Sequence, residues 1–159
     1  MELDEHQRKN IWDIFEGNMH HLYKGSSFGW DPQSKIAELF APLSRFILVH
    51  VQGRLIAFVA FRFEYEHDGN TIYCYDLQVL SSYQRSGLGR ALVLGLETLG
   101  RAWEMVKITL TVFKANASAC RFYENMGFQI DVASPGYVPI GEVWRGNQVD
   151  YEILSKNLN

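Results

Sequence analysis

Three groups of side chains have types and spacing that can do chemistry. The first is Gln84-Arg85-Ser86-Gly87-Leu88-Gly89, followed by Arg90, between an apolar segment and an amphipathic one. Glycines so placed let backbone N–H groups approach a ligand at a helix start, where unpaired donors and the helix dipole favour anions. The ligand this suits carries phosphate. A dinucleotide-binding fingerprint would need another glycine at Leu92, and a nucleotide P-loop would end in Gly-Lys-Ser/Thr, and neither occurs. The same glycines would also serve a plain strand-to-helix turn.

The second group centres on Asp76, which interrupts an apolar, strand-like run where aspartate is disfavoured. Burial there would raise its pKa toward that of a useful general base, whereas a strand-end role would bond it to nearby amides. In the third group Glu64 and Glu66 alternate with Arg62 on one strand face, and Asp68 follows in a turn. Taken alone this is a solvated sheet face. Aromatic residues surround both groups: Tyr23, Phe28 and Trp30 early in the chain, then Tyr73, Tyr75 and Tyr151 on strands, all core by default. Gly25-Ser26-Ser27-Phe28-Gly29 matches the serine-hydrolase Gly-x-Ser-x-Gly string but lacks the buried strand before it and the helix after it, so it reads as a loop.

Composition narrows the partners. The chain has 159 residues, 47% of them hydrophobic, enough for a substantial core in a single domain spanning 1–159. A formal charge of -3 argues against a nucleic-acid backbone as main partner and leaves room for an acidic patch that receives a basic peptide. Cys74 and Cys120 lack Cys-x-x-Cys spacing and are expected to be reduced, in an intracellular protein. The five histidines lack metal-site spacing, so no metal is expected, and no apolar run has transmembrane length.

The elements that must position these groups follow from periodicity and punctuation. Helices are predicted over 3–23 and 32–40, the second capped by Asp31 with Pro32 in its first turn. Strands over 45–51, 54–66 and 71–80 form an antiparallel meander. A helix over 88–104, a strand at 106–113, a helix at 116–126 ending at Gly127, and strands at 128–132 and 148–155 complete the order, with a long loop from Ser134 to Asn147. That order is α/β with a mixed sheet.

The glycine turn and this order together resemble the GNAT superfamily of acyl-CoA-dependent N-acyltransferases. The superfamily's Gln/Arg-x-x-Gly-x-Gly/Ala motif stands as Gln84 to Gly89, with Asn116, Phe122-Tyr123 and Gly127-Phe128 as further markers. The resemblance implies the GNAT fold, a mixed central sheet flanked by helices with splayed strands at the coenzyme site, and acetyl-CoA as co-substrate. Its pyrophosphate would bind the amides of residues 84–90, Asn116 would bond the pantetheine arm, and the amides of Gln78, Val79 and Leu80 would face the acetyl-pantetheine. Tyr123 would protonate the departing thiolate.

A narrower similarity is to the NatD family of histone N-alpha-acetyltransferases. It is carried by Tyr73-Cys74-Tyr75-Asp76-Leu77-Gln78, Leu110-Thr111-Val112-Phe113-Lys114 with Asn116, Ser134-Pro135, and Tyr151-Glu152-Ile153-Leu154-Ser155. It implies transfer to the free amine of histone tails beginning Ser-Gly-Arg-Gly, in the cytoplasm and nucleus. Tyr23, Tyr75 and Tyr151 would hold the first residues, with Phe28, Trp30 and Tyr73 beside them. Glu64 would receive a substrate arginine, and Glu66 would be a second acid or an alternative base to Asp76. Asp76 stands where that family carries Glu, and the 134–147 loop is longer. An α-amine is about a tenth or more neutral at pH 7, so only a mild base is demanded.

Overall fold

The structure, a computed structural model, describes residues 2–66, 69–144, 146 and 148–159, with Glu66 described by its backbone alone. In chain order the elements are α1 (Glu5–Lys24), α2 (Pro32–Leu39), β1 (Arg45–Val51), β2 (Arg54–Glu66), β3 (Gly69–Val79), α3 (Leu88–Ala102), β4 (Lys107–Phe113), α4 (Ala117–Asn125), β5 (Gln129–Ile130) and β6 (Tyr151–Asn157). A 3-10 turn at Ser81–Tyr83 joins β3 to the glycine segment.

Local chemistry sets the helix starts. Asp4 accepts from the Gln7 amide while the Gln7 side chain accepts from the Asp4 amide, a reciprocal box that satisfies two otherwise orphaned donors. Asp31 accepts from the Ser34 amide, with Pro32 in the first turn as expected. The sheet has six strands in the order β1-β2-β3-β4-β6-β5. All pairings are antiparallel except β3 with β4, whose connection runs through α3. Leu55 to Phe61 of β2 are all buried, so the strand reads as a continuous apolar run covered on both faces. Ala57, Val59 and Phe61 pack in the core formed with α3 and α4, and Phe58 and Ala60 in the core formed with α1 and α2.

The last two strands differ most from expectation. The last strand is Tyr151–Asn157 rather than 148–155, because every residue of β4 finds a partner in β6, from Lys107 opposite Asn157 to Phe113 opposite Tyr151. Asp150 instead leaves the sheet and accepts from the Ser27 amide and hydroxyl. β5 keeps only Gln129 and Ile130, since Asp131 turns to the Lys107 ammonium and caps the Ala133 amide.

Two irregularities in β3 shape everything that follows. The register passes from Ala60 opposite Asp76 to Phe61 opposite Cys74, so Tyr75 is an extra residue, a β-bulge. Before it, Ile72 and Cys74 face the α3 core; after it, Leu77 and Val79 do. The bulge therefore turns Asp76 out of that core toward α1 and α2. In addition, β3 pairs with β4 only from Thr71 to Cys74, and beyond Cys74 the two strands part.

Candidate active site

The gap between the parted strands divides the site in two. On one side lies a groove of about 1080 Å³ between the glycine turn and the start of α4; on the other a cleft of about 340 Å³ opens toward α1 and α2. Leu77, Gln78, Asn116 and Tyr123 line both, so the two are continuous.

In the groove the backbone supplies the chemistry. Arg85 has φ 60° and Gly87 φ 87°, left-handed conformations that curl the turn at the N-terminus of α3. Nothing lies within 4 Å of a Cβ built on Gly87, so the turn is open to a ligand, whereas one on Gly89 would meet the Phe122 ring at 3.2 Å. Gly87 thus shapes the turn, and Gly89 lets α3 pack against α4. Arg85, Arg90 and Arg121 line the same groove, matching a ligand with several phosphates. These residues fit a coenzyme A pyrophosphate.

Other residues of the motif serve the scaffold. The Gln84 amide group donates to the Val79 carbonyl at 3.1 Å, and the Asn18 amide group donates to the same oxygen at 2.9 Å. The Ser86 hydroxyl donates to the Tyr83 carbonyl, and Leu88 starts the helix. One expectation is corrected: the Leu80 amide does not face the groove, because it donates to the Ile56 carbonyl at 2.8 Å. In an antiparallel ladder the donors alternate in direction, so Gln78 also turns its amide toward β2, and the Leu77 and Val79 amides look into the gap. Of the expected set, the Val79 amide faces the gap while the Gln78 and Leu80 amides do not, and the Leu77 amide joins it. Asn116 caps α4 through Oδ1, accepting from the Ala119 amide at 3.3 Å, which leaves its amide group to donate to a ligand.

In the cleft side chains supply the chemistry. Asp76 is 6% exposed and forms an ion pair with Lys35 at 2.7 Å, while Gln78 donates to its other oxygen at 3.3 Å. Burial raises the Asp76 carboxyl above its ordinary range, against the pull of the Lys35 ammonium and Gln78. The Tyr123 ring is buried at the junction, and desolvation, with Cys74 and Asp76 adding to it, pushes its phenol well above the ordinary value. The phenol stays protonated at neutral pH and can donate. Burial likewise keeps Cys74 a thiol.

Tyr73 and Tyr75 lie side by side along one wall with ring centroids 4.6 Å apart and planes tilted by 49°. The Tyr75 hydroxyl donates to Glu64 at 2.6 Å, and desolvation together with that carboxylate pushes its pKa up to about 12. The Arg62 guanidinium lies 4.0 Å from the Tyr75 ring centroid and donates to the Glu38 carbonyl and to Ser44. Tyr23 and Phe28 form the opposite wall, and Phe28 meets Tyr151 at the rim with centroids 5.3 Å apart. Gly29, at φ 66°, reverses the chain after Phe28, so Trp30 points away from the cleft and stacks on Phe15 behind the wall. The Glu66 side chain and all of Asp68 lie outside the described residues. Lys35, Glu38 and Asn18 escaped the reading of the sequence. The available signal was Lys35 one turn before Leu39, both on the buried side of α2.

Residues 10–128 match the model of the acetyltransferase (GNAT) family. Among solved structures, the chain is similar to the ribosomal-protein-S18-alanine N-acetyltransferase of Escherichia coli, with 21% identity, a TM-score of 0.67, and 99% of this chain and 92% of that one covered. It is similar to the PaiA N-acetyltransferase of Thermoplasma acidophilum in complex with coenzyme A, with 14% identity, a TM-score of 0.70, and 99% and 96% covered. It is also similar to Ard1 of Thermoplasma volcanium, with 17% identity, a TM-score of 0.67, and 99% and 95% covered. With the fold, the glycine turn and the continuous two-part site in place, the chain belongs to the GNAT family of acetyltransferases and is an acetyl-CoA-dependent N-acetyltransferase.

Proposed function

We propose that the chain acetylates the free α-amine of histone tails beginning Ser-Gly-Arg-Gly, as a NatD-type enzyme of the cytoplasm and nucleus. The observation that carries this reading is the acceptor cleft. The phenols of Tyr23, Tyr73 and Tyr75 and the carboxylates of Glu38 and Asp76 line it among apolar side chains, and Glu64 accepts from the Tyr75 hydroxyl. Small first residues fit between the Tyr23 and Tyr75 walls, and a guanidinium in third place meets the Glu64 oxygen that Tyr75 leaves open. Resemblance of the strings around Tyr73–Gln78 and Tyr151–Ser155 to the NatD family supports the same substrate.

Acetyl-CoA supplies the activated acetyl thioester. Asp76 takes the proton of the peptide ammonium, directly or across one water, and leaves the nitrogen lone pair free to attack. The Leu77 and Val79 amides, open to the gap, would donate to the carbonyl oxygen as negative charge develops on it. Tyr123 gives its proton to the departing sulfur and recovers one from solvent or from the newly formed amide nitrogen. The test is transfer from labelled acetyl-CoA to a Ser-Gly-Arg-Gly peptide, to its N-blocked form, and to an N-blocked peptide bearing lysine. Labelling of the free-terminus peptide alone is the expected result. Labelling of the blocked lysine peptide would move the activity to side-chain amines.

A further inference from the structure

Lys35 reaches the reacting end of the site from α2, with Glu38 beside it, and nothing in the transfer chemistry above uses it. It is 7% exposed, a depth at which an unpaired ammonium would be strongly disfavoured. Its Nζ lies 2.7 Å from Asp76 and 2.9 Å from Glu38, and 5.0 Å and 5.6 Å from the centroids of Phe15 and Tyr23. The ammonium is thus enclosed by two carboxylates and two ring faces from α1, α2 and β3. We propose that Lys35 is a positioning residue for the proton-accepting step: it holds Asp76 as an ionised carboxylate and fixes its direction into the acceptor cleft.

The geometry separates this from a packing role. A lysine needed only to fill space would not place its charged end between two acids, and an acid needed only as a base would gain nothing from so close a cation unless burial otherwise kept it protonated. Asp76 is buried deeply enough for that to happen, and Lys35 opposes it. The groups facing the pair are Tyr23 from α1, Glu38 from α2, Cys74 and Gln78 beside Asp76 on β3, and Tyr123 from α4. Among them Glu38 is the other carboxylate, and it acts on Asp76 in the opposite sense to Lys35. Glu38 and Lys35 together therefore set the pH at which Asp76 becomes an acceptor, while the three-residue spacing along α2 keeps both in register with β3.

The inference rests on the reading of Asp76 as the base, and two readouts keep the two apart. The first needs no acceptor: titration of carbon-13-labelled aspartate, with the Asp76 resonance assigned by its loss in Asp76→Asn. In Lys35→Met the midpoint should rise by about one to two pH units, and Lys35→Arg should restore it. In Glu38→Gln the midpoint should fall, a shift of opposite sign that general loosening of the site would not produce. This second variant keeps the question decidable if Lys35→Met does not fold. The second readout is the acid limb of kcat/KM against pH, on whichever amine the wild-type enzyme accepts. It should move the same way in each variant while coenzyme affinity stays unchanged. An unmoved Asp76 midpoint in both variants would overturn the hold that Lys35 exerts. A moved midpoint with an unmoved acid limb would overturn its part in proton acceptance. Failure of the Ser-Gly-Arg-Gly peptide in wild-type enzyme would overturn the substrate alone.

Discussion

The coenzyme groove and the acceptor cleft meet at one sheet gap and share Leu77, Gln78, Asn116 and Tyr123, yet they are made of different material. The groove is made of backbone: a turn with two positive-φ residues, the first amides of α3, and the Leu77 and Val79 amides left open where β3 and β4 part. The cleft is made of side chains drawn from α1, α2, β3, β4 and α4, with Glu64 of β2 bonded to Tyr75. A backbone-built site binds the part of the substrate that every member of the family shares, and it tolerates changes in side chains. A side-chain-built site can be retuned one residue at a time, and there the choice of amine is made.

Substitutions can break or sharpen that contrast. The largest effect is expected from Gly87→Trp, which forces a bulky side chain into a left-handed turn that faces the groove. Coenzyme affinity measured by calorimetry should fall by about a hundredfold or more, and retained affinity would remove the turn from the coenzyme site. Next, Asp76→Asn should lower kcat by about 10² to 10³ with coenzyme affinity intact. A loss on both sides would mean that the two regions are not separable at Asp76.

A smaller effect tests the scaffold beneath both regions. Glu97 on α3 is buried beside Lys156 of β6 and Arg101, and although burial raises its carboxyl, these two cations outweigh burial and hold it below the usual range. A depressed folded-state pKa adds stability above the unfolded value, and that stability is lost as pH falls through the folded value. Glu97→Gln should therefore cost about 1 to 3 kcal/mol at pH 7 in urea unfolding, with the gap to wild type closing at acid pH. A constant gap would mark the loss as packing. The smallest effect belongs to Glu64→Ala, which should weaken peptides with arginine in third place about tenfold more than peptides lacking it. Equal losses would reduce Glu64 to an anchor for Tyr75.

The same contrast explains what could be read from the chain. Gln84 to Gly89 is a contiguous string whose conformational demands are local, so both the turn and its preference for phosphate were visible in residue types alone. The cap at Asp31 was legible for the same reason. The cleft was legible only in part. Residue type and position single out Tyr23, Phe28, Tyr73, Tyr75 and Asp76, but they single out Trp30 as well, because nothing in the order Phe28-Gly29-Trp30 says which ring the turn sends inward. Lys35 was missed because a lysine on an eight-residue helix looks solvated until its partner, 41 positions away, is known to lie on the facing strand. The direction of the Gln78 to Leu80 amides depends on pairing with β2, which no local pattern records.

The extra residue at Tyr75 makes β3 sensitive to length in a way that its composition is not. Substitutions along Ile72 to Val79 change one contact each. A one-residue deletion between Asp76 and Val79, with the bulge kept, would reverse the faces on one side of it, turning either Asp76 into the apolar layer or Val79 out of it. Among the described residues between Asp131 and Asp150 none belongs to a strand, so no such parity is preserved there. Among descendants of this sequence, insertions and deletions should accumulate in that loop and be purged from β3, so gap placement, rather than residue identity, would mark the strand that carries the base.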